Sequence, residues 1–170
     1  MLSTYARARN VAICVGLLLT GGANAQPRLT LPEIDHIVVH KAARTMTLYA
    51  AGRAVRTIPA IQLGDAPIGR KQFEGDERTP EGRYAIDYGN PDSGYHLSLH
   101  ISYPNAEDRA FAEGRGRSPG GMIFIHGQPN ALPLGRVPGD WTDGCIAVSN
   151  EEIEALWEAV ADGTAIDILP

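Results

Sequence analysis

Thr142-Asp143-Gly144-Cys145-Ile146-Ala147-Val148-Ser149-Asn150-Glu151-Glu152 is the stretch on which the fold turns, because its character changes twice within a few residues. After a glycine-containing turn, Cys145 to Val148 form a short apolar run with the β-branched content of a strand. Ser149 and Glu152 then form a capping box. Ile153, Leu156, Trp157 and Val160 follow at helical spacing, and Gly163 is expected to end the helix. A strand that leaves a turn and feeds a helix places Cys145 at the rim of whatever sheet it joins. Trp157 is read as a packing residue of that helix rather than a ligand-stacking one.

Upstream, the runs are short and heavily punctuated. Ile37-Val38-Val39, Thr45 to Tyr49, Val55 to Ile61, Arg83 to Asp87, Leu97 to Ser102, Met122 to His126 and, after the helix, Ala165 to Leu169 read as strands separated by Gly, Pro, Asn and Asp. A second helix is expected from Ala106 to Glu113. The pattern is that of a mainly β (α+β) domain, a β-sandwich or flattened barrel with one or two covering helices. The longest irregular stretch runs from His126 to Cys145 through Pro129, Pro133, Gly135, Pro138 and Gly139. A loop of that length in a compact domain is usually functional, and it can return the chain so that His126 and Cys145 share one rim.

Residues 1–25 read as a secretory signal, with Arg7 and Arg9 ahead of an apolar run from Val11 to Thr20 and an Ala23-Asn24-Ala25 cleavage pattern. The run is about half the roughly 20 residues that span a bilayer, so cleavage is preferred to anchoring and no membrane span is expected in the mature chain. Cys14 lies in this run without the small residue before it that lipoprotein processing needs. Residues 26–35, with Pro27 and Pro32, read as a linker, and 36–170 as one domain. Removing the signal leaves 13 basic against 20 acidic residues, a net charge of −7, which disfavours a nucleic-acid surface. The expected location is the periplasm.

With the signal removed, Cys145 is the only cysteine, so it has no disulfide partner within its chain. An exported protein tends to pair its structural thiols, and an unpaired one in a glycine turn suggests a nucleophile. The competing reading is a buried structural thiol. A buried thiol, however, does not require Thr-Asp-Gly before it or a proline-rich loop leading to it. His126 is the expected base, since a free thiol of pKa about 8.5 is mostly protonated at neutrality and an adjacent imidazole can lower that value. The Gly127 carbonyl is next door to fix the imidazole tautomer, and Gly144 would let peptide N–H groups near Cys145 face an oxyanion.

His126 followed at a distance by Thr142-Asp143-Gly144-Cys145 resembles the signature of the L,D-transpeptidase (YkuD-type) catalytic domain of bacterial cell-wall enzymes. The resemblance extends through Gly75-Asp76, Thr79-Pro80-Glu81-Gly82-Arg83-Tyr84 and Phe124-Ile125-His126-Gly127, and so covers most of the chain after the signal. It implies a Cys145 thioester formed with a peptidoglycan stem peptide, with His126 as base and acid and with no metal or organic cofactor. Gly127 would orient His126, and Gly144 with Cys145 would form part of the oxyanion site. The residues expected at the substrate are Thr142, Asp143, Trp141, His100 and Arg83. Many members have His where Asp143 stands and Arg where Ala147 stands. Leu97 to Asn105 and Gly144 to Asn150 look like a subgroup related to the enzyme that detaches the outer-membrane lipoprotein from peptidoglycan, which makes a wall-linked lipoprotein a second expected partner. Transfer to an amine, hydrolysis by water, and a non-catalytic wall-binding module on the same scaffold all remain open here.

Other charged residues receive blander readings. His96 and His100 would share a strand face, but without a zinc motif they are expected to be hydrogen-bonded in the structure. Arg70, Lys71, Arg78, Arg115 and Arg117 read as solvated loop charge. Recognition of stem-peptide carboxylates by arginine is the functional alternative.

Overall fold

The computed structural model describes residues 29–132 and 135–170; the signal assignment and Cys14 lie outside the described residues. Eight strands and two helices follow in the order β1 (Ile34–His40), β2 (Thr45–Ala50), β3 (Arg53–Pro59), β4 (Gly82–Asn90), β5 (Ser98–Ile101), α1 (Ala106–Glu113), β6 (Ile123–His126), β7 (Ile146–Ala147), α2 (Asn150–Ala159) and β8 (Val160–Leu169). Every expected strand is present. β1 starts at Ile34, inside the expected linker, because Ile34 is buried and pairs with Val160. β3 stops at Pro59 because Ala60 takes a positive φ of 53° and the chain turns off the sheet there.

The strands form one sheet in the order β3-β2-β1-β8-β4-β5-β6-β7, with β1/β8 and β6/β7 parallel and the other pairs antiparallel. The sheet curls until its ends meet. Beyond β3, Gln62 bridges Ala147 of β7 through N–H···O bonds of 2.9 and 2.8 Å, and Gly64 bridges Thr142. This closure makes the expected flattened barrel. Its interior is a continuous apolar core that includes Ile37, Val39, Met46, Leu48, Ile86, Ile125, Ile146 and Ile166.

Helix α2 begins with the expected capping box: Glu152 N–H donates to Ser149 Oγ at 3.2 Å and Ser149 N–H to Glu152 Oε2 at 2.8 Å. It buries Ile153, Ala155, Leu156 and Ala159 on the sheet. The helix ends at Ala159, before the expected stop at Gly163. Val160 is drawn into β8 by its pairing with Ile34, so tertiary pairing overrides the helical periodicity. Gly163 instead sits at φ 94° within the bulge where β8 shifts register against β1. Trp157 is half-buried against the core and over Gly89, where an added Cβ would stand 2.6 Å from its ring.

Candidate active site

β6 and β7 run side by side with Ile125 opposite Ile146 and His126 opposite Ala147. Cys145, immediately before β7, therefore lies beside Phe124, two positions from the His126 level. Side chains repeat every second residue in a strand, so Cys145 and His126 emerge on the same face. Both line one cavity of about 520 Å³.

The turn that presents Cys145 is held from within and from behind. The Thr142 hydroxyl donates to Cys145 O at 2.7 Å and accepts from Gly144 N–H at 3.2 Å. Behind it, Trp141 and Thr142 N–H both reach Leu63 O, and Asp65 N–H reaches Thr142 O. Gly144 has φ 128°, and a Cβ there would lie 2.6 Å from Arg78 O, so only glycine lets the turn sit this close to residue 78. Its N–H is committed to Thr142, which leaves the Cys145 peptide as the oxyanion donor to consider. Asp140 anchors the approach: its carboxylate accepts from Leu63 N–H at 2.8 Å and pairs with Arg44 at 2.6 Å.

The loop between His126 and Cys145 is pinned by two buried glutamines. The Gln128 amide donates to Gln62 Oε1 at 3.1 Å and Val148 O at 2.7 Å and accepts from Val137 N–H at 2.9 Å; Gln62 donates in turn to Val137 O and Gly139 O. Asn130 ties the same loop to the β4–β5 connection, accepting from His96 N–H at 2.7 Å and donating to Ser93 O at 2.9 Å. That connection brings Tyr95 over the His126 ring with centroids 4.6 Å apart, while Trp141 meets the ring edge-on at 5.6 Å.

His126 is 3% exposed, and its Nδ1 is 2.7 Å from Gly127 O. A carbonyl only accepts, so Nδ1 carries the proton and Nε2 is the free basic nitrogen. Burial pushes the imidazole below its ordinary pKa, and the Gly127 bond opposes that only in part. His126 is therefore neutral at neutral pH. Gly127 must be glycine: a Cβ would meet Asn150 Oδ1 at 2.6 Å and Tyr95 O at 3.0 Å.

The Cys145 sulfur accepts from Phe124 N–H at 3.4 Å and directs its own hydrogen toward Met122 O at 3.6 Å. Burial, with a smaller push from Asp143, holds the thiol up at about 11 against the Phe124 N–H and Lys71. At that value the thiol rests protonated, and the neutral imidazole lines the same cavity. Lys71 is not the solvated loop charge that was expected. It is 3% exposed, with its ammonium on Asp76 at 2.9 Å and Phe73 O at 3.1 Å. Burial raises the Asp76 carboxyl, but bonds from Gln72 N–H, Lys71 and Phe73 N–H outweigh it and hold the group below its usual range.

Thus Cys145, His126, Thr142, Asp143 and Trp141 converge on the cavity, while His100 and Arg83 stand outside its lining. His100 is drawn off by Asp87 at 2.6 Å and stacks on Tyr88 at 4.5 Å. Arg83, on exposed β4, pairs with Asp167 across the strand at 2.9 Å. His96 does not share a strand face with His100: it lies in the loop at φ 70° and bonds Glu154. Tyr95, Ser98 and Phe124 also line the cavity. Ser98 was within reach of a sequence reading, because the antiparallel register places it opposite His126. Tyr95 lies in a loop and carries no periodic signal.

Residues 34–168 match the profile of the YkuD family, the L,D-transpeptidase catalytic domain. The chain belongs to that family. Its L,D-transpeptidase domain is 29% identical over 131 residues to YafK of Escherichia coli K12, named as a candidate L,D-transpeptidase, across 74% of this chain and 46% of YafK. Among solved structures it is similar to the helical cell shape determining protein Pgp2 of Campylobacter jejuni, with a TM-score of 0.63 and 28% identity over 81% of this chain and 48% of Pgp2. An L,D-transpeptidase of Mycobacterium smegmatis shares the fold at a TM-score of 0.52 and 16% identity, over 79% of this chain and 58% of that one. The chain spans about half the length of the curated relatives it matches. Among the described residues no helix is long and apolar enough to cross a membrane.

Proposed function

We propose that this domain is a cysteine-dependent peptidoglycan L,D-transpeptidase that works through a Cys145 thioester, outside the cytoplasmic membrane and in the periplasm of a two-membrane cell. The observation that carries the reading is the tautomer of His126. Gly127 holds the proton on Nδ1 and leaves Nε2 free in the cavity that Cys145 lines. As Cys145 Sγ attacks the carbonyl of the stem peptide's diamino acid, its proton passes to His126 Nε2 and an S–C bond forms. The carbonyl oxygen takes the charge, with the Cys145 peptide N–H as donor. When the C–N bond breaks, the imidazolium returns the proton to the leaving amine. An incoming amine or water then attacks the thioester, His126 takes its proton, and the thiol is restored. Phe124 N–H, already on the sulfur, stabilises the transient thiolate.

Thr142 shapes the turn, and Trp141 walls the cavity beside the imidazole. The partners in this reading are peptidoglycan stem peptides. A hydrolase on the same site is the second reading, with wall-linked lipoprotein among its partners. Of its two forms, an amidase that detaches lipoprotein and an L,D-carboxypeptidase, one observation favours the first: no cationic side chain lines the cavity among the described residues to hold the carboxylate of a terminal D-amino acid.

The test is intact-mass analysis of the wild type and Cys145→Ala after incubation with a diaminopimelate-containing disaccharide tetrapeptide, as the free acid and as the C-terminal amide. An adduct confined to the wild type is expected. Dimeric products indicate transfer, and free tripeptide indicates hydrolysis. Absence of any adduct and product, with a thiol that resists alkylation, would sink the reading in favour of a non-catalytic binding module.

A further inference from the structure

Asp143 is the single charged side chain among the described residues lining the cavity. It is exposed and forms no hydrogen bond or ion pair with another described residue, unlike Asp140 three positions earlier. Arg70 pairs with Asp108, Arg83 with Asp167, Lys71 with Asp76 and Arg136 with Glu152, while Arg115 and Arg117 lie over the Phe111 and Phe73 rings, and none of these cations lines the cavity. A lone carboxylate beside the nucleophile works against the thiolate the chemistry must generate, so it is an unfavourable feature unless it meets something that approaches the sulfur.

We propose that Asp143 is a specificity residue that makes the site select by charge: the acyl donor it accepts carries a neutral or cationic group, rather than a free carboxylate, on the leaving side of the bond Cys145 attacks. This rests on the thioester reading above and narrows its substrate class to stem peptides that continue past the scissile bond as an amide or bear an ammonium there. A carboxylate on the leaving residue would share the cavity with Asp143, and no cationic side chain lines that cavity among the described residues. For unit charges several ångströms apart at a dielectric between those of protein surface and water, the discrimination is about tenfold.

Two measurements test it on the intact protein. The first compares the rates at which Cys145 is modified by trimethylammonioethyl and sulfonatoethyl methanethiosulfonate, each normalised to its rate with 2-mercaptoethanol. The expected preference for the cationic reagent is about tenfold in the wild type, retained in Asp143→Glu and mostly abolished in Asp143→Asn. A wild-type preference near unity, or one that survives Asp143→Asn, overturns the inference. The second compares kcat/KM for the tetrapeptide amide and free acid, where the amide should lead by a similar factor that collapses in Asp143→Asn. Equal acylation by both in the wild type overturns the charge selection alone, whereas no acylation by either removes the thioester reading and the donor class with it.

Discussion

Replacing Thr142 with Val tests the account of the catalytic turn, because it keeps the shape of the side chain and deletes one oxygen. That oxygen serves two backbone groups, donating to Cys145 O at 2.7 Å and accepting from Gly144 N–H at 3.2 Å. Thr142 is 4% exposed and Gly144 is buried, so the Gly144 N–H has little access to water once the hydroxyl is gone. A buried group left without a partner costs about 1–3 kcal/mol. Cys145 is only half-buried and its carbonyl is partly rehydrated, which puts the pair at about 2–4 kcal/mol. For a domain of this size each kcal/mol moves Tm by about 3 °C, so a fall of about 6–12 °C is expected by far-ultraviolet circular dichroism or calorimetry. Thr142→Ser keeps the oxygen and should recover most of it. The alkylation rate of Cys145 measured alongside should change in Thr142→Val, since the sulfur is positioned by the same turn. A Thr142→Val protein with Tm within about 2 °C of the wild type and an unchanged alkylation rate would refute the claim that this hydroxyl holds the turn.

The resting thiol gives a pH signature. Because burial raises the Cys145 pKa to about 11, its alkylation by neutral iodoacetamide should climb steadily through neutrality, and a plateau between about pH 6 and 8 would indicate a preformed thiolate–imidazolium pair. The proposed mechanism needs His126 neutral, and its pKa is lowered, so the acid limb of kcat/KM should lie below pH 6.5; a limb above that value contradicts the buried imidazole. Gly144→Ala places a Cβ 2.6 Å from Arg78 O at a φ of 128°, and a loss of at least ~2 kcal/mol in urea unfolding is expected; a near-neutral result would mean the turn can move away. Gln128→Leu removes three hydrogen bonds that pin the long loop, so limited proteolysis between Pro129 and Asp140 should accelerate several-fold, and unchanged cleavage would show the loop is held by other contacts.

Much of this architecture is legible in the sequence because the local signals agree with one another. The capping box at Ser149 and Glu152, the β-branched runs and the glycine before Cys145 all describe features the chain adopts. The errors fall where partners distant in sequence decide. Gly163 looks like a helix stop, yet the strand begins earlier because Val160 pairs with Ile34. Lys71 is a different case: it reads as loop charge but is buried on nearby Asp76, whose carboxylate is fixed by the N–H groups of residues 72, 73 and 78 in a turn with no periodic signature. That Cys145 and His126 would share one rim was readable from the loop between them, whereas their protonation was not. Both groups are set by how deeply the aromatic walls of Tyr95 and Trp141 and the closure of the sheet enclose them, and enclosure has no one-dimensional signal.

The bridge from residues 62–64 to 142–147 ties the reactive turn to a segment roughly half the chain away. Strand β7 has only two residues and leans on that segment along one side and β6 along the other, so it has little means of persisting alone. The turn that presents Cys145 is consequently complete only when the two edges of the sheet have met. In a partly folded chain Cys145 would lack the cavity it shares with His126, so the chemistry proposed for it would wait on closure of the sheet.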